Sequence, residues 1–246
     1  MQVEYYKAWS VALDREVEWK VYGRAGKPLV VFPSARGSFY QFEDFGMVDA
    51  VRRFVEQGQV RLYTLSSNDH ETWLADDWIS LEDRGRNYLK YDAYVVSEAV
   101  PYIRDHSGHA GQLAATGCSM GAYHAANFFF RHPDIFDTVI ALSGLYGPSA
   151  FVGDYVDDNV YFNFPLLYLP NLTDSWYLDR LREGRIIVCV GQGAWEHDHV
   201  RETRALESVL QRLDVSAWFD YWGYDVNHDW PWWRRQLPYF LEKLEL

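Results

Sequence analysis

Residues 113–121 read LAATGCSMG, and this stretch decides which fold the chain is expected to adopt. It contains the pattern G-x-S-x-G, with Ser119 between Gly117 and Gly121. An apolar run precedes the pattern, and an Ala- and Phe-rich stretch at residues 122–130 follows it. This order predicts a strand, a sharp turn that carries the serine, and a helix, the setting in which the motif presents a reactive hydroxyl. The glycines suit such a turn because residues without a Cβ let strand and helix approach closely.

The rest of the chain continues the alternation of strand and helix around this turn. Val17, Trp19 and Val21 alternate with charged residues, which predicts a half-exposed strand near a sheet edge. The other predicted strands are residues 29–32, 61–65, 113–116, 138–142, 186–190 and 216–222. The predicted helices are residues 48–57, 87–106, 120–132, 200–213 and 232–244. Such alternation indicates an α/β protein, whose mostly parallel sheet carries helices on both faces.

One segment breaks this rhythm. The chain has 246 residues, enough for one α/β domain, and no linker or repeat divides it, so residues 1–246 are predicted to form a single domain. Residues 144–185, approximately, are rich in Tyr, Phe, Asn, Asp and Pro and show poor periodicity. Long irregular insertions in compact domains are often lids or binding loops. This insertion is therefore either a lid or a covering flap without a role in substrate binding.

Composition excludes several classes of function. The net charge of −12 disfavours nucleic acid, whose phosphates would be repelled. No apolar run reaches the roughly 18 residues of a membrane-spanning helix. The N-terminus lacks a basic region followed by an apolar one, so no secretory signal is expected and the predicted location is cytoplasmic. Cys118 and Cys189 fall in predicted buried strands and are expected to be free thiols of the core.

A serine hydroxyl becomes a strong nucleophile only when a neighbouring base accepts its proton and a third group orients that base. In sheets of this kind the chain order is serine, acid, histidine, each on a loop that follows a strand. His228 lies in GYDVNHDWPWW, between the last predicted strand and the last helix, and is the favoured base. His197 and His199 precede a helix in the polar stretch EHDH and are expected to be solvated.

The acid is expected after the strand at residues 186–190, in GQGAWEHDH. Glu196 is the preferred candidate and Asp198 the alternative, while Glu202 lies further into the next helix. Acidic residues ahead of a helix also cap it and favour its dipole, which gives Asp198 a structural explanation. The residues alone leave this choice open.

The mechanism also needs donors for the oxyanion that forms at the attacked carbonyl. The backbone N–H of Met120, directly after the serine, is one candidate, and that of Ala35, in the loop after the first core strand, is the other. A metal centre is not expected, because the HDH sequence at residues 197–199 has no companion at zinc spacing and H-E-x-x-H is absent. No cofactor is predicted.

Candidates for substrate binding are less distinctive. Arg36 either binds an anionic group of the substrate or pairs with a nearby carboxylate such as Glu43 or Asp44, and we favour the ion pair. Aromatic residues of the insertion either form an apolar cleft or pack in the ordinary way, and we favour packing. These aromatic residues are Tyr155, Tyr161, Phe162 and Trp176.

On the basis of these residues, the chain resembles the esterase D-like family of putative esterases, a branch of the α/β-hydrolase superfamily. This family includes feruloyl esterases and mycolyltransferases. The resemblance extends from about residue 28 to residue 245. It rests on GCSMG at 117–121, on ALSG at 141–144, and on the histidine followed by tryptophans at 228–233 before LPYFL. The loop Pro33-Ser34-Ala35-Arg36 is similar to the family's loop that carries an oxyanion donor and an arginine.

This resemblance implies the α/β-hydrolase fold, with a mostly parallel twisted sheet of about eight strands. It also implies that Ser119 is the nucleophile, His228 the base, and Ala35 and Met120 the oxyanion donors. The chain departs from many relatives by having Pro33-Ser34 where they have a histidine-glycine pair. Its acid loop is longer than the short G-x-x-D form, so the identity of the acid stays open.

Three functions are compatible with these residues. The first is a serine carboxylic-ester hydrolase that acts on small-molecule esters through an acyl-enzyme. The second is an acyltransferase that uses the same site to acylate an alcohol or a sugar. The third is a non-catalytic binding module with a hydrolase-like fold, although a serine, an acid and a histidine in the expected chain order argue against it.

Overall fold

A twisted eight-stranded sheet forms the centre of the computed structural model, which describes residues 1–244. The strand order is β1-β2-β4-β3-β5-β6-β7-β8, in which β3 to β8 are parallel and β1 and β2 are antiparallel to their neighbours. The strands are β1 (Val3–Ser10), β2 (Arg15–Tyr22), β3 (Lys27–Phe32), β4 (Val60–Thr64), β5 (Leu113–Cys118), β6 (Phe136–Leu142), β7 (Arg185–Val190) and β8 (Trp218–Tyr221).

Helices cover both faces of this sheet. Tyr91, Phe128 and Leu206 belong to one apolar cluster, and Phe54 and Phe240 to a second cluster on the opposite face. The helices are α1 (Gln41–Asp44), α2 (Met47–Ala50), α3 (Arg52–Glu56), α4 (Leu81–Tyr94), α5 (Val100–Ser107), α6 (Met120–Arg131), α7 (Ser149–Val152), α8 (Asp158–Tyr161), α9 (Pro165–Tyr168), α10 (Ser175–Glu183), α11 (His197–Arg212) and α12 (Trp230–Leu244). The predicted α/β architecture, mostly parallel with helices on both faces, is confirmed.

The main differences from the predicted elements have local causes. The strand that contains Val17 is not the outermost one, because β1 pairs with it along its whole length. The helix predicted from residue 87 begins at Leu81, where the Ser80 hydroxyl accepts a hydrogen bond from the N–H of Asp83 (3.1 Å) and caps the first turn. It also contains a π-helical turn at Val95–Ala99, just before Pro101, which has no N–H to donate.

The helical connection between β3 and β4 also differs from its prediction. One helix is predicted at residues 48–57, but this range is divided between the two short helices α2 and α3, and a further short helix, α1, precedes it. The α2 helix stops before Val51, whose φ of −102° and ψ of 7° lie outside the helical range. Val51 is β-branched and fully buried in the second cluster, so packing on the sheet takes precedence over a continuous helix.

The segment at residues 144–185 is more regular than its sequence indicates. It contains the short helices α7 to α10, of which α8 packs on α4, α9 packs on α6 and α11, and α10 packs on strand β6. Several of its side chains are buried in the first cluster: Tyr146, Val152, Val160, Phe164, Leu169 and Leu181. Three of these helices, α7, α8 and α9, have four residues each and are too short to show a 3.6-residue period, which explains the poor periodicity of much of the segment.

Two further predictions concern the cysteines and membrane helices. Cys118 and Cys189 are both free, buried thiols, and burial raises the pKa of each well above its ordinary value. Within residues 1–244, no helix combines the length and the apolar character needed to cross a bilayer.

Candidate active site

Ser119 occupies the sharp turn between β5 and α6. Its φ of 57° and ψ of −119° lie outside the regions that residues with a Cβ normally adopt. The glycines on either side make the turn possible. A Cβ on Gly117 would lie 2.3 Å from the backbone of Gly121, and one on Gly121 would lie 2.2 Å from the carbonyl oxygen of Phe32. The pattern G-x-S-x-G therefore reflects close contact of β5, α6 and β3, as the sequence predicted.

A chain of hydrogen bonds links this serine to a histidine and a buried carboxylate. Oγ of Ser119 lies 2.9 Å from Nε2 of His228, and Nδ1 of the same ring lies 3.1 Å from Oε2 of Glu196. The imidazole comes from the loop between β8 and α12, where the backbone N–H of His228 donates to the carbonyl of Ala194 (2.9 Å). Ser119 is half-buried, the His228 side chain is 16% exposed and that of Glu196 is 1% exposed. The arrangement is suited to activating a hydroxyl, since a base contacts it and an acid orients the base.

Of the three acidic candidates, the structure brings only Glu196 to His228. Its other oxygen, Oε1, accepts a hydrogen bond from the hydroxyl of Ser143 (2.6 Å), whose Oγ in turn lies 3.3 Å from Nε1 of Trp233. Asp198 is 61% exposed and pairs with Arg201 instead. Ser143 was not predicted, although it lies in the ALSG stretch that carried part of the resemblance.

Glu202, the most distant of the acidic candidates, has a different partner. Its carboxylate accepts hydrogen bonds from the backbone N–H groups of Tyr146 (2.6 Å) and Gly147 (2.8 Å), at the start of the insertion. Burial raises the pKa of this carboxyl, while the two N–H donors lower it. Glu202 therefore attaches α11 to the insertion and does not contact His228.

The loop after β3 lies against the serine turn. The Ser34 hydroxyl donates to the carbonyl of Cys118 (3.0 Å), directly before Ser119. In the part of the chain that the structure describes, the backbone N–H groups of Ala35 and Met120 have no hydrogen-bond acceptor. The three N–H groups that flank Ala35 most closely in this loop are engaged: Ser34 with Gln41 Oε1 (2.7 Å), Arg36 with Asp69 Oδ2 (2.7 Å) and Gly37 with the Ser34 carbonyl (2.8 Å). Ala35 and Met120 are the residues whose N–H groups were predicted as oxyanion donors.

A buried pair, Asp69 and His124, holds the loop after β3 through the backbone of Arg36. This pair was not predicted from the sequence. Asp69 is fully buried; its Oδ2 accepts from the backbone N–H of Arg36, and its Oδ1 lies 2.9 Å from Nε2 of His124 on α6. Nδ1 of His124 lies 3.2 Å from the hydroxyl of Tyr88 on α4. No local pattern connects these residues, because they come from three separate elements.

Arg36 forms an ion pair with a nearby carboxylate, as predicted, but its partner is Asp76 and not Glu43 or Asp44. Its guanidinium donates to the carbonyl of Leu74 (2.6 Å) and lies 3.4 Å from Asp76. Glu43 instead pairs with Lys20 on the neighbouring β2 strand. The backbone of Arg36 has a positive φ of 54°. The side chain is 55% exposed, so its guanidinium remains accessible to solvent.

His199 was expected to be solvated, and this prediction is wrong. Its side chain is only 14% exposed, and its ring centroid lies 4.1 Å from that of His228. Burial, reinforced by the nearby charge of His228, lowers the pKa of His199 to about 4. His197 is 94% exposed, as expected. The first turn of α11 therefore points one histidine to solvent and the other into the site.

This placement also corrects the argument against a metal site. His199 of the HDH sequence does have further potential ligands beside it, because the fold brings His228 from another loop next to it. Glu196, His199 and His228 each place one potential ligand atom within 4.8 Å of the others. Counting spacings along the chain could not reveal this cluster, since its members meet only in the folded protein.

The aromatic residues of the insertion do not lie at Ser119. Tyr161 and Phe162 line a cavity of about 430 Å³ together with Phe130 and His132, at the carboxyl end of α6. Ser119 is at the opposite end of this helix, roughly 18 Å away at 1.5 Å per residue. Trp176 is 41% exposed and lies under the guanidinium of Arg180, 4.0 Å from its ring centroid. Tyr155 is half-buried and donates a hydrogen bond to Asp157 (3.0 Å).

Nearly the whole chain matches a known protein family. The model of the family described as "Putative esterase" matches residues 11–244. The chain belongs to this esterase family. The resemblance recognised from the motifs is thereby confirmed. No curated protein matches the sequence.

Solved structures of several hydrolases share the fold of this esterase-family chain. A ferulic acid esterase is 20% identical, with a TM-score of 0.75 and coverage of 99% of this chain and 98% of that one. The fluorophosphonate-binding serine hydrolase FphF of Staphylococcus aureus is 13% identical, with a TM-score of 0.75 and coverage of 100% and 98%. An S-formylglutathione hydrolase from Agrobacterium tumefaciens is 12% identical, with a TM-score of 0.74 and coverage of 98% and 95%. These similarities show the α/β-hydrolase fold, and family membership supports ester hydrolysis.

Proposed function

We propose that this protein is a serine carboxylic-ester hydrolase that works through an acyl-enzyme, with Ser119, His228 and Glu196 as its catalytic residues. The observation that carries the proposal is the chain of hydrogen bonds from Oγ of Ser119 through the His228 ring to Glu196. Family membership supports it, and so do the structural similarities to a ferulic acid esterase and a serine hydrolase. The expected substrates are small-molecule esters.

The first half of the reaction forms the acyl-enzyme. Oγ of Ser119 bonds to the ester carbonyl carbon while its proton passes to Nε2 of His228. The N–H groups of Ala35 and Met120 donate to the oxyanion that develops on the carbonyl oxygen. The ester C–O bond then breaks, and the proton on Nε2 passes to the departing alkoxide, which leaves as the alcohol.

The second half releases the acid. Water gives a proton to Nε2 of His228 and attacks the acyl carbon, and the collapse of this second tetrahedral intermediate returns the proton to Oγ of Ser119. Throughout the cycle the carboxylate of Glu196 accepts the Nδ1 proton of the ring, which holds the productive tautomer and stabilises the imidazolium. Ser143 keeps that carboxylate oriented through its hydrogen bond to Oε1.

The decisive experiment compares Ser119→Ala with the wild type on a series of p-nitrophenyl esters of increasing acyl length. Loss of the hydroxyl should lower kcat about 10⁴- to 10⁶-fold, because the nucleophile is gone while oxyanion stabilisation remains. Ser208→Ala, on an exposed face of α11, is the matched control and should retain wild-type turnover. Unfolding in urea should show that both variants are folded.

Labelling and product analysis complete this test. A fluorophosphonate probe should label the wild type and Ser208→Ala but leave Ser119→Ala unlabelled, because only an activated serine reacts. Adding an acceptor alcohol to the assay distinguishes hydrolysis, which releases the free acid, from acyl transfer, which forms a new ester. A Ser119→Ala variant that turns over esters at the wild-type rate would refute the proposal.

A further inference from the structure

A second histidine completes a cluster of potential metal ligands beside Ser119. Nδ1 of His228 lies 3.1 Å from Oε2 of Glu196, and Nδ1 of His199 lies 3.6 Å from the same oxygen. Donor atoms of all three residues fall within 4.8 Å of one another. Two imidazoles and a carboxylate form a ligand set that Zn²⁺ takes in proteins.

The spacing of these atoms fits a tetrahedral cation. Ligands about 2.0–2.1 Å from Zn²⁺ at the corners of a tetrahedron are about 3.3–3.4 Å from one another. The two measured separations from Oε2 of Glu196 lie on either side of this value. The histidine rings lie against each other with 4.1 Å between their centroids and a tilt of 30°, and both rings must rotate to direct their nitrogens toward one cation.

The neighbouring residues already hold the carboxylate as a metal site requires. The Ser143 hydroxyl binds Oε1 of Glu196, which leaves Oε2 for the two histidines. Such outer hydrogen bonds fix the orientation of metal-binding side chains and increase their affinity. Both histidine side chains retain some exposure, 14% for His199 and 16% for His228, whereas that of Glu196 is 1% exposed.

We propose that Zn²⁺ binds Glu196, His199 and His228 and thereby inhibits this protein reversibly. A water molecule would take the fourth position of the tetrahedron, as it does in zinc sites with three protein ligands. The binding itself is independent of any activity, whereas the inhibition rests on the proposed esterase function.

Inhibition follows from the position of one proton on the His228 ring. With Zn²⁺ on Nδ1, the neutral imidazole keeps its single proton on Nε2, the atom that faces Oγ of Ser119. Nε2 is then a donor and cannot accept the proton of the attacking hydroxyl. The His199 ring must likewise lose the contact of its Nδ1 with the carbonyl of Trp195 (3.1 Å), and its proton must lie on Nε2. Zinc therefore disables the base without covering the serine.

Calorimetry with ZnCl₂ and untagged protein tests the site directly. The wild type should bind one Zn²⁺, and His199→Phe, which keeps a ring against His228, should bind at least about tenfold more weakly because a ligand is lost. His197→Phe is the matched control, since that side chain is 94% exposed, and should bind as the wild type does. Ser119→Ala should also bind normally. Wild-type affinity in His199→Phe, or no saturable binding by the wild type, would overturn the proposal.

Kinetic measurements test the consequence of binding. Zn²⁺ should lower kcat for p-nitrophenyl esters while KM changes little, and EDTA should restore the rate. His199→Phe, measured against its own rate without metal, should need at least about tenfold more Zn²⁺ for the same inhibition. If the protein binds Zn²⁺ through His199 but cleaves no ester, the metal site stands and the esterase proposal fails. If it cleaves esters and Zn²⁺ has no effect, the inhibition fails and the esterase stands.

Discussion

Backbone strain is concentrated around Ser119. Among the described residues, six that are not glycine have a positive φ, and four of these lie in the loops of the candidate site: Arg36, Ser119, Ser143 and Trp195. Such conformations cost about 1–3 kcal/mol each and persist only where the surrounding structure enforces them. Here the enforcing contacts are visible, since Ser119 and Ser143 each donate their backbone N–H to the neighbouring strand. The strain indicates that the positions of these side chains are tightly determined.

The identity of the acid is testable at the scale of single residues. Glu196→Gln keeps the shape of the side chain but removes the charge that stabilises the imidazolium, so kcat should fall about 10³- to 10⁴-fold. Asp198→Asn changes an exposed carboxylate that pairs only with surface groups, and kcat should stay within about twofold. Steady-state kinetics on one p-nitrophenyl ester measures both variants. Equal losses in the two, or a larger loss in Asp198→Asn, would contradict the assignment.

At the scale of elements, Asp69 connects the loop after β3, which carries the proposed oxyanion donor Ala35, to two other segments of the fold. This residue follows β4, binds the backbone of Arg36 in the loop after β3, and contacts His124 on α6. The pair of His124 and Asp69 is almost completely inaccessible to solvent. Removing one member of a buried polar pair leaves the other without a partner, which costs more than the pair itself contributes.

Replacing Asp69 should therefore affect both stability and catalysis. Asp69→Ala leaves the Arg36 N–H and the His124 ring without their acceptor, and the free energy of unfolding should fall by about 2–4 kcal/mol. The loop that carries Ala35 should also lose its position, which lowers kcat. Urea unfolding and p-nitrophenyl acetate turnover measure the two effects.

Asp76→Ala provides the control for this experiment. The Asp76 side chain is 72% exposed and its carboxylate contacts the side chain of Arg36, whereas Asp69 holds the main chain of that residue. The control should change the free energy of unfolding by less than about 1 kcal/mol and leave turnover almost unchanged. If Asp69→Ala behaves like Asp76→Ala, the proposed support of the oxyanion loop is wrong.

At the scale of the whole molecule, the insertion at residues 144–185 packs as part of the structure around the sheet. Phe164 is fully buried, and its ring lies 4.9 Å from that of Trp73 and 5.2 Å from that of Tyr123 on α6. The hydroxyl of Tyr123 donates to the carbonyl of Asn163 (2.8 Å). These contacts favour the covering flap over the mobile lid.

Two phenylalanines of this insertion distinguish the two interpretations. Phe164→Ala removes a ring from the packed interior and should lower the free energy of unfolding by about 3–5 kcal/mol. Phe162→Ala, at a position that is 55% exposed, should lower it by less than about 1 kcal/mol and leave KM unchanged. Urea unfolding and ester kinetics measure both variants. A stable Phe164→Ala, or a large rise in KM in Phe162→Ala, would instead favour a lid or a substrate cleft.

Sequence patterns predicted the features that depend on near neighbours along the chain. The turn at Ser119, the core strands and the helices on both faces follow from local apolar periodicity and from glycines at close contacts. The chain order of motifs also pointed to His228 and Glu196, which the fold brings within hydrogen-bonding distance of each other. β1 was missed because it lies at the edge, where its apolar residues, such as Val3, Tyr5 and Trp9, are exposed and do not alternate regularly with polar ones.

By itself, then, the sequence determined the α/β architecture and the loops in which the serine, the histidine and the acidic candidates lie. Only the tertiary structure brought Glu196 rather than Asp198 to His228, placed His199 beside the same ring, and connected Asp69 to the loop after β3. The reason is physical: strands and turns form from neighbouring residues, whereas the burial and partners of a side chain depend on elements far apart in the chain. A search over local spacing cannot measure distances between such elements.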